Sequence, residues 1–139
     1  GAHIALNAAY LEPGRFSALW LDGMQAQRIS DFPQQQNFRE QFATAINLMI
    51  FKISLAYLRM PAPPAFIEIL PVLDQPEIVL IAGGLDDFER RANQQYALVA
   101  GENVEFWLIE DAYHVGGSSA VSEEYRARML DFFAATLGE

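Results

Sequence analysis

Three short apolar runs, each set off by turn residues, constrain this chain more than any other feature: "FSALWL" at 16 to 21, "EIVLIA" at 77 to 82 and "VEFWLI" at 104 to 109. The second is continuously apolar after its first residue, rich in β-branched side chains, and bounded by Pro76 and Gly83-Gly84. A strand covered on both faces reads this way. The first run follows Pro13-Gly14 and closes on Asp22-Gly23, and it too reads as a buried strand. Helical patterns lie around these runs. "GAHIALNAAYL" is helical through about Leu11, and "DFERRANQQYALVAG" from about Phe88 to Val99 with Gly101 as its stop. A last helix is capped by Ser122, carries Glu123 and Glu124 in its first turn, and ends near Gly138. Its Tyr125, Met129, Phe132 and Phe133 recur at helical spacing and form the face expected to pack on the sheet. Strands alternating with helices predict an α/β fold with a parallel sheet of about three strands.

The length of 139 residues, with 52% apolar and 19% charged side chains, suits one domain with a modest core. The chain has no cysteine, which removes disulfides, thiolate nucleophiles and thiolate metal sites, and a reducing cytoplasmic setting fits most simply. Its formal charge of −9 would repel a phosphate backbone, so no nucleic-acid partner is expected. The helical pattern begins at Gly1 without a charged-then-apolar leader, so no secretory signal is expected. Two histidines without patterned carboxylates do not make a ligand set. Neither a metal nor another cofactor is expected.

Residues 24 to 75 break the rhythm. Here "NFREQFATAINLMIFKISLAYLRM" shows helical spacing along Phe42, Ile46, Met49, Ile53, Ala56 and Met60. Leu48, Phe51, Leu55 and Leu58 fall among its few polar positions, so the helix is apolar nearly all round. Lys52 interrupts it near the middle, which argues against a membrane span of ~20 mainly apolar residues. The expectation is a buried or substrate-facing helix, followed by a stiff connector, "PAPPAF", at 61 to 66.

Parallel topology gives the histidine in "EDAYHVGG" a candidate partner. Crossovers are right-handed and the strands point one way, so the loops after Ala82 and Ile109 emerge on one rim. That rim is where open α/β sheets bind ligands. The two loops carry Asp86 and His114, and a carboxylate beside an imidazole fixes its tautomer and stabilises the imidazolium, as a general base requires. Asp87 and Glu89 remain alternative acids, and capping of the helix near Phe88 competes for Asp86. His3, on a helix face, reads as structural. Ser118 and Ser119 follow the base in a loop with no fixed oxyanion donors and make poor nucleophiles.

Three segments, taken in order, resemble the α/β-hydrolase family. "GAHIALNAA" is similar to the tail of a G-x-S-x-G nucleophile elbow, with Gly1 as its last glycine. "PEIVLIAGGLD" and "EFWLIEDAYHVGG" resemble the acid-bearing and histidine-bearing segments, and the spacing from Gly83 to Asp86 looks like the family's G-x-x-D. The resemblance implies a partial α/β-hydrolase fold: residues 1 to 139 as the C-terminal part of one domain, and 24 to 75 as a helical cap or lid. It further implies a Ser-His-Asp triad in which His114 is the base and Asp86 the acid, the serine lying two residues before Gly1. The implied substrate is a small hydrophobic ester, amide or thioester. The strands ahead of the elbow and the loop lending an oxyanion-hole amide are absent from this sequence. The 139 residues alone are therefore expected to be inactive, and the open flank of "FSALWL" leaves room for self-association. Two other readings stay open: a non-catalytic α/β binding module, and a membrane-associated protein held by the helix at 42 to 60.

Overall fold

The computed structural model describes residues 1–33, 38–59 and 61–138. Three strands, β1 (Ala18–Asp22), β2 (Glu77–Gly83) and β3 (Val104–Ile109), form one sheet in the order β1-β2-β3. Both pairings are parallel, with Ala18 opposite Glu77 and Ile78 opposite Val104. β2 is central and buried at every residue but the first, which is why its apolar run is unbroken where β1 alternates. β3 occupies the span read from sequence, and β1 begins two residues later than expected.

Helices cover both faces. On one, Leu19, Leu21, Ile78 and Leu80 pack against Leu6 and Ala9 of α1 (Ala2–Leu11) and against Ala92 and Tyr96 of α4 (Asp87–Val99). Full burial of each leucine or isoleucine among them contributes about 1.5–3 kcal/mol relative to exposure. On the other face, Val79, Ile81 and Ile109 meet Trp20, Trp107, Tyr125 and Phe132. Trp20 is the hub there, edge-on to Tyr125 at 5.5 Å and tilted against Phe132 at 5.6 Å. Tyr125 and Phe132 belong to α6 (Ser122–Leu137). The face read from sequence, Tyr125, Met129, Phe132 and Phe133, is the half-covered one, although no residue of α6 is fully buried. Ser122 is the first helical residue and makes no capping bond. A short turn of helix that sequence did not signal, α5 (Gly117–Ala120), precedes it.

The segment from 24 to 75 contributes to the core at its two ends. Met24, Phe66, Ile69, Leu70 and Leu73 lie within the first core, and "PAPPAF" ends on an anchor, since Phe66 opens α3 (Phe66–Ile69) and sits edge-on to Tyr96 at 5.9 Å. The buried Asp31 carboxylate ties the segment's two ends together by accepting the amides of Gln27 (3.1 Å), Arg28 (2.9 Å) and Ile67 (3.1 Å).

The long helix α2 (Phe38–Leu58) is not the buried helix that was one of the two expectations: none of its residues is buried. Its half-covered stripe is Glu40, Thr44, Leu48, Phe51 and Leu55, leaving Phe42, Met49 and Ile53 to solvent. Met60 of the expected stripe lies outside the described residues. An all-round apolar helix carries no inner side in its own sequence. The half-covered side is the one that faces α4, where the Arg91 guanidinium reaches Glu40 at 3.0 Å.

Candidate active site

Two loops leave the carboxyl rim of the sheet and cross. After β2 the chain runs Gly83-Gly84-Leu85-Asp86 into α4, and after β3 it turns through residues 110–113 to His114. Gly84 N–H donates to Ile109 O (2.8 Å) and Leu85 N–H to Ala112 O (3.0 Å). The glycine pair is what permits so close a crossing, because a Cβ on Gly84 would stand 2.5 Å from the Glu110 carbonyl oxygen. The crossing carries His114 over the first turn of α4. Val115, next in sequence, has φ 55°, a left-handed conformation costly for a β-branched residue and concentrated at functional sites.

The acid waiting there is Glu89. It is fully buried; Oε1 accepts the Gly83 amide at 2.8 Å, and Oε2 is hydrogen-bonded to His114 Nδ1. This corrects the expected pairing of Asp86 with His114. Asp86 is the N-cap of α4, its Oδ1 accepting the Glu89 amide at 3.0 Å, so its short side chain is spent on the helix end. Asp87 lies outside the site and pairs with Arg90 and, at 2.9 Å, with Arg91. The hydrogen bond from Arg90 chiefly holds its carboxyl below the ordinary range. With Nδ1 engaged on a buried carboxylate, His114 keeps Nε2 free of any hydrogen-bond partner among the described residues. That is the orientation a proton acceptor needs.

His114 borders an open cleft of about 770 Å³ whose lining includes His3, Trp20, Asp22, Gly23 and Tyr125. Part of that volume is the open flank of β1. Ser17 O and Gly23 N–H bond to β2, so in a parallel ladder the alternate residues Ala18, Trp20 and Asp22 turn their amides and carbonyls to the free side. Gly23 has φ 76°, and a Cβ there would approach the His114 ring to 2.9 Å. Asp22 accepts the Tyr125 hydroxyl at 2.9 Å, and Trp20 Nε1–H donates to the same hydroxyl at 2.8 Å. Burial raises the Asp22 carboxyl above its ordinary range, a shift opposed by the Tyr125 bond and the nearby His114. The Tyr125 phenol is pushed up to about 12, mainly by burial. His3 accepts the Gln25 amide on Nε2 at 3.1 Å and lies 5.0 Å from Phe66, and burial lowers its pKa. It borders the cleft while buttressing the 25 loop, in keeping with its structural reading.

Sequence reasoning missed Asp22 and Tyr125. Asp22 sits at the carboxyl end of a parallel strand, on the rim already singled out, yet "DG" reads first as a turn. Ser118 also borders the cleft, from α5. Among the described residues no cluster of three or more His, Cys, Asp or Glu could hold a metal.

No protein-family model matches the chain, and a search of curated proteins finds no significant match. Solved structures do match. The chain is similar to NosK from Streptomyces actuosus (TM-score 0.60, 19% identity, covering 98% of this chain and 66% of that one). It is similar to Rv0554 from Mycobacterium tuberculosis (0.58, 16%, 98% and 63%). A third is BpoC from M. tuberculosis H37Rv, described as a non-heme bromoperoxidase (0.56, 14%, 98% and 64%). These neighbours have the α/β-hydrolase fold, and this chain carries that architecture as an open three-stranded parallel sheet with flanking helices. It spans just under two thirds of each neighbour's length.

Proposed function

We propose that this chain supplies the proton-transfer part of an acyl hydrolase: His114 is the general base and Glu89 the acid that orients it. The observation that carries the reading is the buried Glu89 carboxylate, held by the Gly83 amide and bonded to His114 Nδ1 at the carboxyl rim of a parallel sheet. A base so held accepts a proton from a hydroxyl nucleophile as that nucleophile attacks, and returns it to the leaving group. The imidazolium formed between the steps is stabilised by Glu89. In this reading the hydroxyl belongs to a serine outside the 139 residues, on an elbow ahead of α1, and the substrate is a hydrophobic ester, amide or thioester. Trp20 and Tyr125 give the cleft an aromatic wall suited to it.

The test is hydrolysis of short-chain and medium-chain p-nitrophenyl esters by the natural gene product that contains these residues. Turnover that is abolished by His114→Ala and by Glu89→Gln, with the fold retained, is the expected result. Full activity in either variant ends this assignment. The 139-residue chain by itself should neither turn over these esters nor be labelled by a fluorophosphonate; labelling lost in Ser118→Ala would move the nucleophile to α5.

A further inference from the structure

We propose that α2 docks on an anionic lipid surface, its outer face entering the boundary between headgroups and acyl chains. At ~100° per residue, Phe38, Phe42, Ala45, Met49, Ile53 and Ala56 fall in one narrow stripe. It is turned away from the body, opposite the half-covered stripe of Leu48, Phe51 and Leu55. The large members of the outer stripe are well exposed: Phe38 80%, Phe42 59%, Met49 57% and Ile53 60%. No charge interrupts it. By length and composition α2 is apolar enough for a membrane, yet none of it is buried within the protein. A continuous apolar face of this kind on a soluble body marks an interaction surface.

Charge selects the occupant. Arg39, Lys52 and Arg59 flank the stripe and are all exposed. Glu40, the single acid between 38 and 59, turns inward to Arg91. This stretch therefore carries +2 in a chain of −9, and the rest carries −11. Such segregation leaves the cationic, apolar side facing outward with the acidic body behind it. An anionic bilayer complements that arrangement: the long basic side chains can reach phosphates while the stripe is immersed. A second copy would instead set like-charged flanks against each other. The inference is independent of the hydrolase reading.

The experiment is flotation of the natural gene product that contains these residues with vesicles of equimolar phosphatidylcholine and phosphatidylglycerol, and with phosphatidylcholine alone. The chain should float with the first, float less with the second, and release as salt rises. Met49→Glu and Ile53→Glu, both on exposed positions and checked for retained helicity by circular dichroism, should weaken binding about tenfold or more. Lys52→Glu should reduce the preference for phosphatidylglycerol while leaving the apolar face intact. Absence of flotation with either vesicle, equal binding to both, or undiminished binding of the two stripe variants overturns the proposal. Self-association in solution that the stripe variants abolish, without vesicle binding, would assign the face to a second copy.

Discussion

Glu89, in the first turn of α4, and His114, in the loop after β3, meet across the rim of the sheet, while Asp86 three residues earlier is turned back to close the helix. The division of labour follows from side-chain length and position: the shorter acid reaches the free amide at 89, and the longer one reaches across to the ring. Glu89→Gln should therefore reverse the His114 tautomer, because an amide N–H facing Nδ1 makes that nitrogen the acceptor. Nitrogen-15 chemical shifts of the ring report the change directly. In the natural gene product the same variant should lose on the order of 10⁴ in kcat, as expected when a base is held in the wrong tautomer.

Asp86→Ala should separate the two roles. Loss of the cap costs about 1 kcal/mol of stability in urea denaturation, while the His114 ring keeps the nitrogen shifts of the parent chain. A variant in which the ring shifts move as they do for Glu89→Gln would return Asp86 to the site.

The parallel topology and the meeting of the loops after β2 and β3 on one rim were legible because each rests on local signals: β2's unbroken apolar run, the glycine pair after it, and the histidine just past β3. The choice among Asp86, Asp87 and Glu89 was not, since all three lie within one helical turn and only the crossing of two loops decides which meets the ring. That α2 is unburied was not legible for a related reason. With apolar side chains on every face, its spacing does not reveal which side turns towards Arg91 of α4. Asp22 was hidden behind its own turn motif, although the rim rule applied to β1 as much as to β2.

Gly23→Ala places a methyl group against the His114 ring and asks a residue with a Cβ to hold φ 76°. The backbone cost alone is about 1–3 kcal/mol. The variant should lower the urea midpoint and displace the His114 ring resonances together, whereas Gly14→Ala, at φ 79° with open space around it, should cost stability without touching the ring.

Asp22 gives the site a pH signature. Its carboxyl is raised in the fold by burial, so the folded state holds this proton more tightly than the unfolded chain does. The associated stability is fully present below the ordinary carboxylate pKa and is lost as pH rises through the raised value. Asp22→Asn preserves an acceptor for the Tyr125 hydroxyl and removes the ionisation. It should raise Tm relative to the parent at pH 7 and converge with it at pH 3, as followed by thermal denaturation across that range. A constant difference at all pH values would mean that the substitution acts through packing instead.

The free side of β1 should govern self-association. Ladder bonds at Ser17 and Gly23 face β2, so the amides of Ala18, Trp20 and Asp22 are the ones a further strand would use, and an apolar edge of this kind recruits partners. Ala18→Pro removes one outward donor without breaking a bond to β2, since the amide it deletes points away from that strand. Light scattering at rising concentration should show the parent chain associating and Ala18→Pro remaining smaller. Leu19→Pro, one residue on, deletes a donor that faces β2 and should unfold the sheet rather than merely disperse it, which distinguishes an open edge from general fragility of the strand.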